Sequence, residues 1–412
     1  MKTNSRAVAL AACEEWRNGT RFADAILGER LRASELDAAD RAFATELFYG
    51  TLRNLMLLDF WIGQLRSGHV DHPSRDLLRL GLYQLFLLKT SEHAAVYETV
   101  DLADRRSRGL INAVLRNAVR RKTQLLEQID SQNLSVRQSH PEFLIDRWTR
   151  NFGAEEAKKL CEWNNRPAPI YARINGIKIS SAEFLTRYGE AEPSGGQPNF
   201  VRLPNVPNEA LISGHCYIQD PSTATACTLL DPQPGDRVLD ACAAPGGKTS
   251  YLAELMNNTG AILACDRDER RVETLRDNLH RLGANIAECR QHDWLGPKSA
   301  PARDFDRILI DAPCSNTGVM RRRVDVRWRL TPEDFSRMPQ QQLRIARATI
   351  PLLKPGGILV YSTCSIEREE NERVVEQILR EFSFLKLLDQ RSLLPFRDEF
   401  DGAYAVKLSR AL

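Results

Sequence analysis

Two short runs of this 412-residue chain put a cysteine where a β-rich segment gives way to a loop. Asp311-Ala312-Pro313-Cys314-Ser315-Asn316-Thr317-Gly318 follows the strand-like Phe305 to Ile310, and Ser362-Thr363-Cys364-Ser365 follows Gly357 to Tyr361. Open α/β sheets hold their ligands beyond the carboxyl ends of strands. A free cysteine is ordinarily a core residue, but placement in such loops beside Asp, Ser and Thr favours working thiols. Two thiols and a carboxylate suit one problem, putting a methyl group on carbon 5 of a pyrimidine. That carbon is a poor nucleophile. Thiolate addition at carbon 6 turns the ring into an enamine that can attack a sulfonium methyl, and a second group must then take the carbon-5 proton so that the thiolate leaves. Spacing alone does not say which cysteine adds and which group releases. Asp311 would hydrogen-bond the ring N3 and the exocyclic amine, stabilising the charge that develops on addition. An enzyme aimed at the adenine amino group would want an Asn/Asp-Pro-Pro-aromatic tetrad at this strand end, where Asp311-Ala312-Pro313-Cys314 stands.

The methyl donor needs its own site. Asp240-Ala241-Cys242-Ala243-Ala244-Pro245-Gly246-Gly247-Lys248-Thr249 closes a predicted strand at Arg237 to Ala241 and opens a helix at Thr249. Gly246 and Gly247 let backbone approach a ligand, and a helix N-terminus offers unpaired N–H groups to a carboxylate or phosphate. The next predicted strand, Ala261 to Asp266, ends in an acid about 20 residues on, where a doubly wound fold places a partner for ribose hydroxyls. Taken singly, the glycines could make a mere turn and Asp266 could cap a helix; the spacing favours the ligand. The loop is neither G-x-G-x-x-G nor G-x-x-x-x-G-K-[ST], which disfavours dinucleotides and P-loop phosphates and leaves S-adenosylmethionine. Asp293, after a short strand near Asn285 to Cys289, sits where a carboxylate could reach the adenine amino group, or it is a surface loop aspartate.

Beyond the Cys314 loop comes Arg321-Arg322-Arg323-Val324-Asp325-Val326-Arg327-Trp328-Arg329. Arginines interleaved with a tryptophan suit phosphate contacts and base stacking, so Arg321, Arg322, Arg323, Arg327 and Trp328 are candidate RNA contacts, with a solvated charged loop as the alternative. Arg105, Arg106, Arg108, Arg116, Arg120, Arg121 and Lys122 form a second basic region, with a solvated face as the alternative. A net charge of +3 is too small to prove a polyanionic partner by itself.

The elements that must position these groups follow from periodicity. Length predicts two or three domains, and 42% hydrophobic with 27% charged residues excludes a disordered chain. From Arg6 to Lys122 apolar residues recur at helical spacing, predicting helices over 4–17, 20–32, 37–52, 54–67, 73–89, 93–106 and 109–121. Helical pattern continues to Arg166-Pro167-Ala168-Pro169, a boundary. A strand at Ile170 to Ile174, a helix near Ser181 to Tyr188 and a Pro/Gly/Asn-rich stretch from Pro193 to Pro207 read as a small α/β insert. From Asp236 strands alternate with helices, which implies a parallel, doubly wound sheet. The expected division is 1–125 helical, 126–230 linker helices with the small α/β subdomain, and 231–412 catalytic. The apolar stretch around Leu77 to Leu88 is too short and too interrupted to span a membrane, and the N-terminus reads as a first helix rather than a signal peptide. Nine cysteines without a C-x2-C pair suggest neither zinc nor a redox dithiol. The chain is thus expected to be a cytoplasmic monomer without a metal.

These strings resemble a known family, the bacterial ribosomal RNA small-subunit methyltransferase B group, also called Sun or Fmu. Asp240 to Thr249, Asp311 to Gly318, Tyr361 to Ser365 and Asp401-Gly402-Ala403-Tyr404 look like its catalytic motifs. Glu46 to Arg53, Leu80 to Gln84 and Asn112 to Asn117 look like its NusB-like helical domain. The resemblance implies an all-α NusB-like domain, a small RRM-like subdomain and a Rossmann-like class I methyltransferase domain. It also implies methylation of carbon 5 of one cytosine in 16S ribosomal RNA from S-adenosylmethionine, the base single-stranded or flipped from its stack. By carry-over Cys364 is the nucleophile and Cys314 assists release. Cys242, Ala243, Ala244, Pro245, Gly246, Gly247 and Lys248, with Asp266, Asp293 and Asp311, line the cofactor site, and Lys248 reaches toward the base as well. The chain departs from the family pattern at two places. Asn316 stands where a Gly is usual, and Asn accepts a left-handed backbone better than other residues do. Arg321-Arg322-Arg323-Val324-Asp325 replaces Arg-Arg-His-Pro-Asp. Two rivals are weaker: a noncatalytic ribosome-assembly factor leaves Asp311, Cys314, Cys364 and the Gly-rich loop without a purpose, and a nicotinamide-dependent oxidoreductase lacks its glycine fingerprint.

Overall fold

Short polar side chains start the N-terminal helices: Asn4, Asp37, Asp71 and Ser91 each accept a first-turn backbone N–H. In the computed structural model, which describes residues 4–88, 90–194, 199–297 and 300–412, the helices they begin are Ser5–Asn18, Ala38–Arg53, His72–Phe86 and Glu92–Asp101. Ala23–Arg32, Leu55–Leu65 and Arg108–Arg120 complete the expected set. The helix predicted over 93–106 stops at Asp101 because the Asp104 carboxylate takes the backbone N–H groups of Arg106 and Ser107 and folds the chain into a turn. The one predicted over 73–89 stops at Phe86, and position 89 lies outside the described residues. Their apolar faces meet in one core around Phe48, Leu58, Trp61, Leu78 and Leu115.

Two compact units result, one of Met1–Arg166 with Met320–Arg329 and one of Pro167–Val319 with Leu330–Leu412. The helices of 122–165 lie in the first of these units.

The ten-residue excursion Met320–Arg329 corrects the reading of its arginines. Val324 joins the helical core. Arg327 is fully buried and donates to Ser139 O (3.3 Å), Asn164 O (3.1 Å) and Asn165 Oδ1 (2.8 Å). Arg321 is buried with its guanidinium 4.0 Å over the Trp163 ring, and Trp328 Nε1 donates to Leu52 O at 2.7 Å. Buried arginines turned toward carbonyls, an amide oxygen and a ring of the same chain do not face solvent, so Arg321 and Arg327, with the half-buried Trp328, act as anchors of this excursion rather than as a surface for RNA. Arg322 is half-buried, and Arg323 is exposed, with its guanidinium 6.0 Å from the Phe22 ring. A basic and aromatic string looks the same in sequence whether it faces water or docks into a protein.

The second unit begins with a four-stranded antiparallel sheet, order β2-β3-β1-β4, from β1 (Ile170–Ile174), β2 (Glu192–Pro193), β3 (Phe200–Leu203) and β4 (Cys216–Ile218). Phe184, on the helix Ser181–Arg187, fills its core. Part of the Pro/Gly/Asn-rich stretch, 195–198, lies outside the described residues. Arg173 of β1 is buried and bonds Glu254, Ser250 Oγ (2.7 Å) and Gln219 Oε1 (3.2 Å), tying the small sheet to the helix Gly247–Leu255.

A seven-stranded sheet follows: β5 (Arg237–Asp240), β6 (Ala261–Asp266), β7 (Ala287–Gln291), β8 (Phe305–Asp311), β9 (Leu353–Thr363), β10 (Leu385–Leu393) and β11 (Ala403–Arg410). The order is β10-β11-β9-β8-β5-β6-β7, with β5 to β9 parallel and β11 antiparallel to both its neighbours. Apolar clusters cover both faces, one around Ile308, Leu359 and Tyr361 and the other around Val238, Leu309 and Val360. The sheet is therefore mixed rather than wholly parallel. No helix among the described residues is long and apolar enough to cross a membrane.

Candidate active site

Parallel neighbours β8 and β9 pair with Asp311 opposite Ser362, so the two cysteine loops leave the sheet side by side at its carboxyl edge. Cys314 Sγ and Cys364 Sγ stand 3.3 Å apart. Cys314 is buried and Cys364 partly exposed. The contact with Cys364, then burial, then the charges of Cys364 and Glu370 push the Cys314 thiol well above the ordinary thiol range. On its other side the Cys364 thiol donates to Asn316 Oδ1 at 3.2 Å, while Asn316 Nδ2 donates to Cys314 O at 2.9 Å. Asn316 holds φ of +58°, the left-handed conformation its side chain tolerates.

Asp311 Oδ2 accepts from Lys248 Nζ at 2.6 Å and Asp311 Oδ1 from Ser362 Oγ at 2.9 Å. Burial works against the Lys248 charge, but the Asp311 carboxylate more than offsets it, and the ammonium stays above the usual lysine range. Lys248 belongs to the helix Gly247–Leu255, whose N-cap Gly246 sits at φ +106°, so one hydrogen bond joins the glycine loop to the cysteine loops. That helix has no side-chain cap, which leaves its first-turn N–H groups for a ligand.

The carboxylates at the strand ends gather round the same loop. Burial, then the charges of Asp240, Asp311 and Asp266, drive the Cys242 thiol well above its ordinary range. Asp240 is fully buried; its Oδ2 accepts from Thr249 Oγ1 at 2.7 Å, and its Oδ1 meets no hydrogen-bond donor among the described residues. Burial pushes its carboxyl up to about 7. Asp266, buried at the end of β6, accepts from Asp268 N and lies 3.4 Å from Arg271 Nη2. Asp293 is exposed and accepts from Leu295 N. An uncapped helix N-terminus, an orphaned buried carboxylate oxygen and a strand-end acid on the adjacent strand suit a cofactor carrying both a carboxylate and a ribose.

Behind the cysteines lies a group that sequence reasoning missed. Glu370 is fully buried, and its carboxylate accepts from Ser315 N (2.9 Å), Ser315 Oγ, Ser365 Oγ (2.8 Å) and Gln342 Nε2 (2.9 Å). In sequence it stands in Glu367-Arg368-Glu369-Glu370, a run that reads as a solvated helix start. Gly318 and Gly402 also explain a motif: Gly318 N donates to Cys364 O, Gly402 N donates to Gly318 O, and a Cβ on Gly318 would stand 2.6 Å from Cys364 O and 2.8 Å from Gly402 Cα.

Comparison with known proteins gives concordant results. The model of the 16S rRNA methyltransferase RsmB/F family matches residues 227–408, that of the NusB family residues 3–120, and that of a ferredoxin-like domain of RsmF/B-like methyltransferases residues 140–198. The chain is 34% identical over 401 residues to the probable ribosomal RNA small subunit methyltransferase B of Bacillus subtilis, covering 92% of this chain and 89% of that protein. It is 36% identical over 398 residues to the ribosomal RNA small subunit methyltransferase B of Yersinia enterocolitica, covering 90% of each. A crystallised methyltransferase homolog from Pyrococcus horikoshii superposes with a TM-score of 0.60 at 32% identity, covering 67% of this chain and 97% of that one. With a NusB-like helical domain, a ferredoxin-like small domain and a seven-stranded methyltransferase sheet, this chain belongs to the ribosomal RNA small subunit methyltransferase B family and is an rRNA methyltransferase.

Proposed function

We propose that the chain methylates carbon 5 of a cytosine in 16S ribosomal RNA, with Cys364 adding to carbon 6 and Cys314 assisting release. The observation that carries this reading is the 3.3 Å pair of thiols beside Asp311. Cys364, the more exposed sulfur, is the one an incoming ring can meet. Its addition makes carbon 5 nucleophilic. Asp311, freed from Lys248 or shared with it, accepts from the exocyclic amine, and Lys248 Nζ lies within reach of the same base edge. Cys314, as thiolate, takes the carbon-5 proton, after which the carbon 6 to sulfur bond breaks and Cys364 leaves as thiolate.

S-adenosylmethionine, when bound, supplies the electrophilic methyl. The backbone from Cys242 to Lys248 would hold its methionine end, Asp266 its ribose and Asp293 its adenine. The base must be single-stranded or flipped to reach a sulfur at a strand end.

The test is transfer of labelled methyl from S-adenosylmethionine to protein-free 16S ribosomal RNA, followed by digestion to nucleosides. Label is expected in 5-methylcytosine. The Cys364→Ala variant should bind cofactor yet transfer nothing, and Cys314→Ala should accumulate an RNA adduct that survives denaturant. Label in another nucleoside, or full activity in Cys364→Ala, overturns the proposal.

A further inference from the structure

A carboxylate taken fully out of water is strongly destabilised unless hydrogen bonds satisfy it. Glu370 is such a group, and its bonds go to particular places. Ser315 follows Cys314 in the chain, and Ser365 follows Cys364; Glu370 takes donors from both. Gln342, on the helix Asp334–Thr349, donates through Nε2 to Glu370 Oε2 and also to Pro313 O at 3.0 Å, the residue before Cys314. The Cys314 loop is therefore gripped on both sides of its cysteine. The Cys364 loop has other supports: Thr363 Oγ1 donates to Asn371 Oδ1 (2.6 Å), Asn371 Nδ2 donates to Ser365 O (2.8 Å), and β9 itself is paired up to Thr363. The backbone of Glu370 is held in turn by Tyr361, whose phenol hydroxyl donates to the Glu370 carbonyl at 2.6 Å.

We propose that Glu370 is a positioning residue that fixes Cys314 relative to Cys364, acting through Ser315, Ser365 and Gln342 without touching either sulfur. The inference rests on the reading of Cys364 as nucleophile and Cys314 as release group. Because most of the grip falls on the Cys314 side, loss of the carboxylate frees that loop first. Addition survives and elimination stalls.

The experiment compares Glu370→Gln, Gln342→Met and Cys314→Ala with the wild-type protein on protein-free 16S ribosomal RNA. Glu370→Gln keeps the volume but turns an acceptor oxygen into a donor among donors. Gln342→Met removes the bonds from Gln342 to Pro313 O and to Glu370 Oε2 but leaves the carboxylate and its Ser315 and Ser365 donors in place, so it is the milder of the two variants. The expected result for Glu370→Gln is a turnover number at least tenfold lower, an unchanged KM for S-adenosylmethionine and a denaturant-resistant RNA adduct like that of Cys314→Ala. Gln342→Met should show the same signature with a loss of a few-fold. A merely structural role lowers the active fraction without any adduct, so reduced turnover with no adduct in both variants overturns the proposal, as does wild-type turnover in both. If Cys314→Ala itself accumulates no adduct on an RNA that the wild type methylates, the release reading fails and takes the proposal with it. Adduct in Cys314→Ala alone refutes only the role of Glu370.

Discussion

Replacing Asn316 by Asp places a carboxylate oxygen where an amide oxygen now accepts from the Cys364 thiol at 3.2 Å. Two unit charges at that separation interact by about 5 kcal/mol at an effective dielectric of about 20. Cys364 is partly exposed, so solvent screening removes much of this. A surviving repulsion of about 2 kcal/mol corresponds to about 30-fold less Cys364 thiolate at a given pH. Asn316→Gly makes the complementary control, since it keeps the left-handed turn and adds no charge. The assay is the rate at which iodoacetamide alkylates Cys364 near neutral pH, followed by peptide mass spectrometry, with no RNA present. Asn316→Asp should react more than tenfold slower than wild type and lose methyl transfer in proportion, whereas Asn316→Gly should react within a few-fold of wild type. Equal alkylation of Asn316→Asp and wild type, both folded, refutes the contact between this side chain and the nucleophile.

Two further outcomes are expected of buried groups. Burial raises the Asp240 carboxyl to about 7, so the folded chain keeps a proton that the unfolded chain gives up above about pH 4, and this group's contribution to stability falls as pH rises through that window. Asp240→Asn removes the term, and urea unfolding should show the variant gaining on the wild type from about pH 4 to about pH 7; parallel pH profiles contradict the assignment. Arg327→Met leaves Ser139 O, Asn164 O and Asn165 Oδ1 without the donor they share, and unfolding of the helical unit should become easier by about 3 kcal/mol. Unchanged stability, with weakened RNA binding, restores Arg327 to the surface.

The parts of the fold that sequence makes legible are those with local signals. The strands β5, β6 and β8, each a short apolar run ending in Asp, and the helices Ser5–Asn18, Ala38–Arg53 and Arg108–Arg120 appear within a residue or so of where periodicity puts them, whereas the ends of the helices expected over 20–32, 73–89 and 93–106 shift by three to five residues. The C-terminal antiparallel pair did not carry such a signal. β10 lies at the sheet edge with almost every side chain exposed, so its sequence has no buried face to alternate. In the site, the cysteines, Asp311 and the glycine loop announce themselves because their residue types are chemically unusual at strand ends. Glu370 does not, because an acidic residue among charged neighbours looks exposed until the donors of Ser315, Ser365 and Gln342 close over it. Arg327 fails in the opposite sense: its string advertises a surface that the carbonyls around it deny.

The excursion Met320–Arg329 also sets an order of events during synthesis. An N-terminal domain ordinarily folds as soon as its own residues have left the ribosome. Here the helical unit needs Val324 for its core and Arg327 for the carbonyls at residues 139 and 164, and these arrive only near position 329 of 412. The contacts of this unit are therefore complete only after roughly 150 residues of the next unit have been made, a span that Pro167–Val319 defines. Its completion coincides with emergence of the Cys314 loop, so a nascent chain gains a closed helical unit and the first of its two thiols at nearly the same moment.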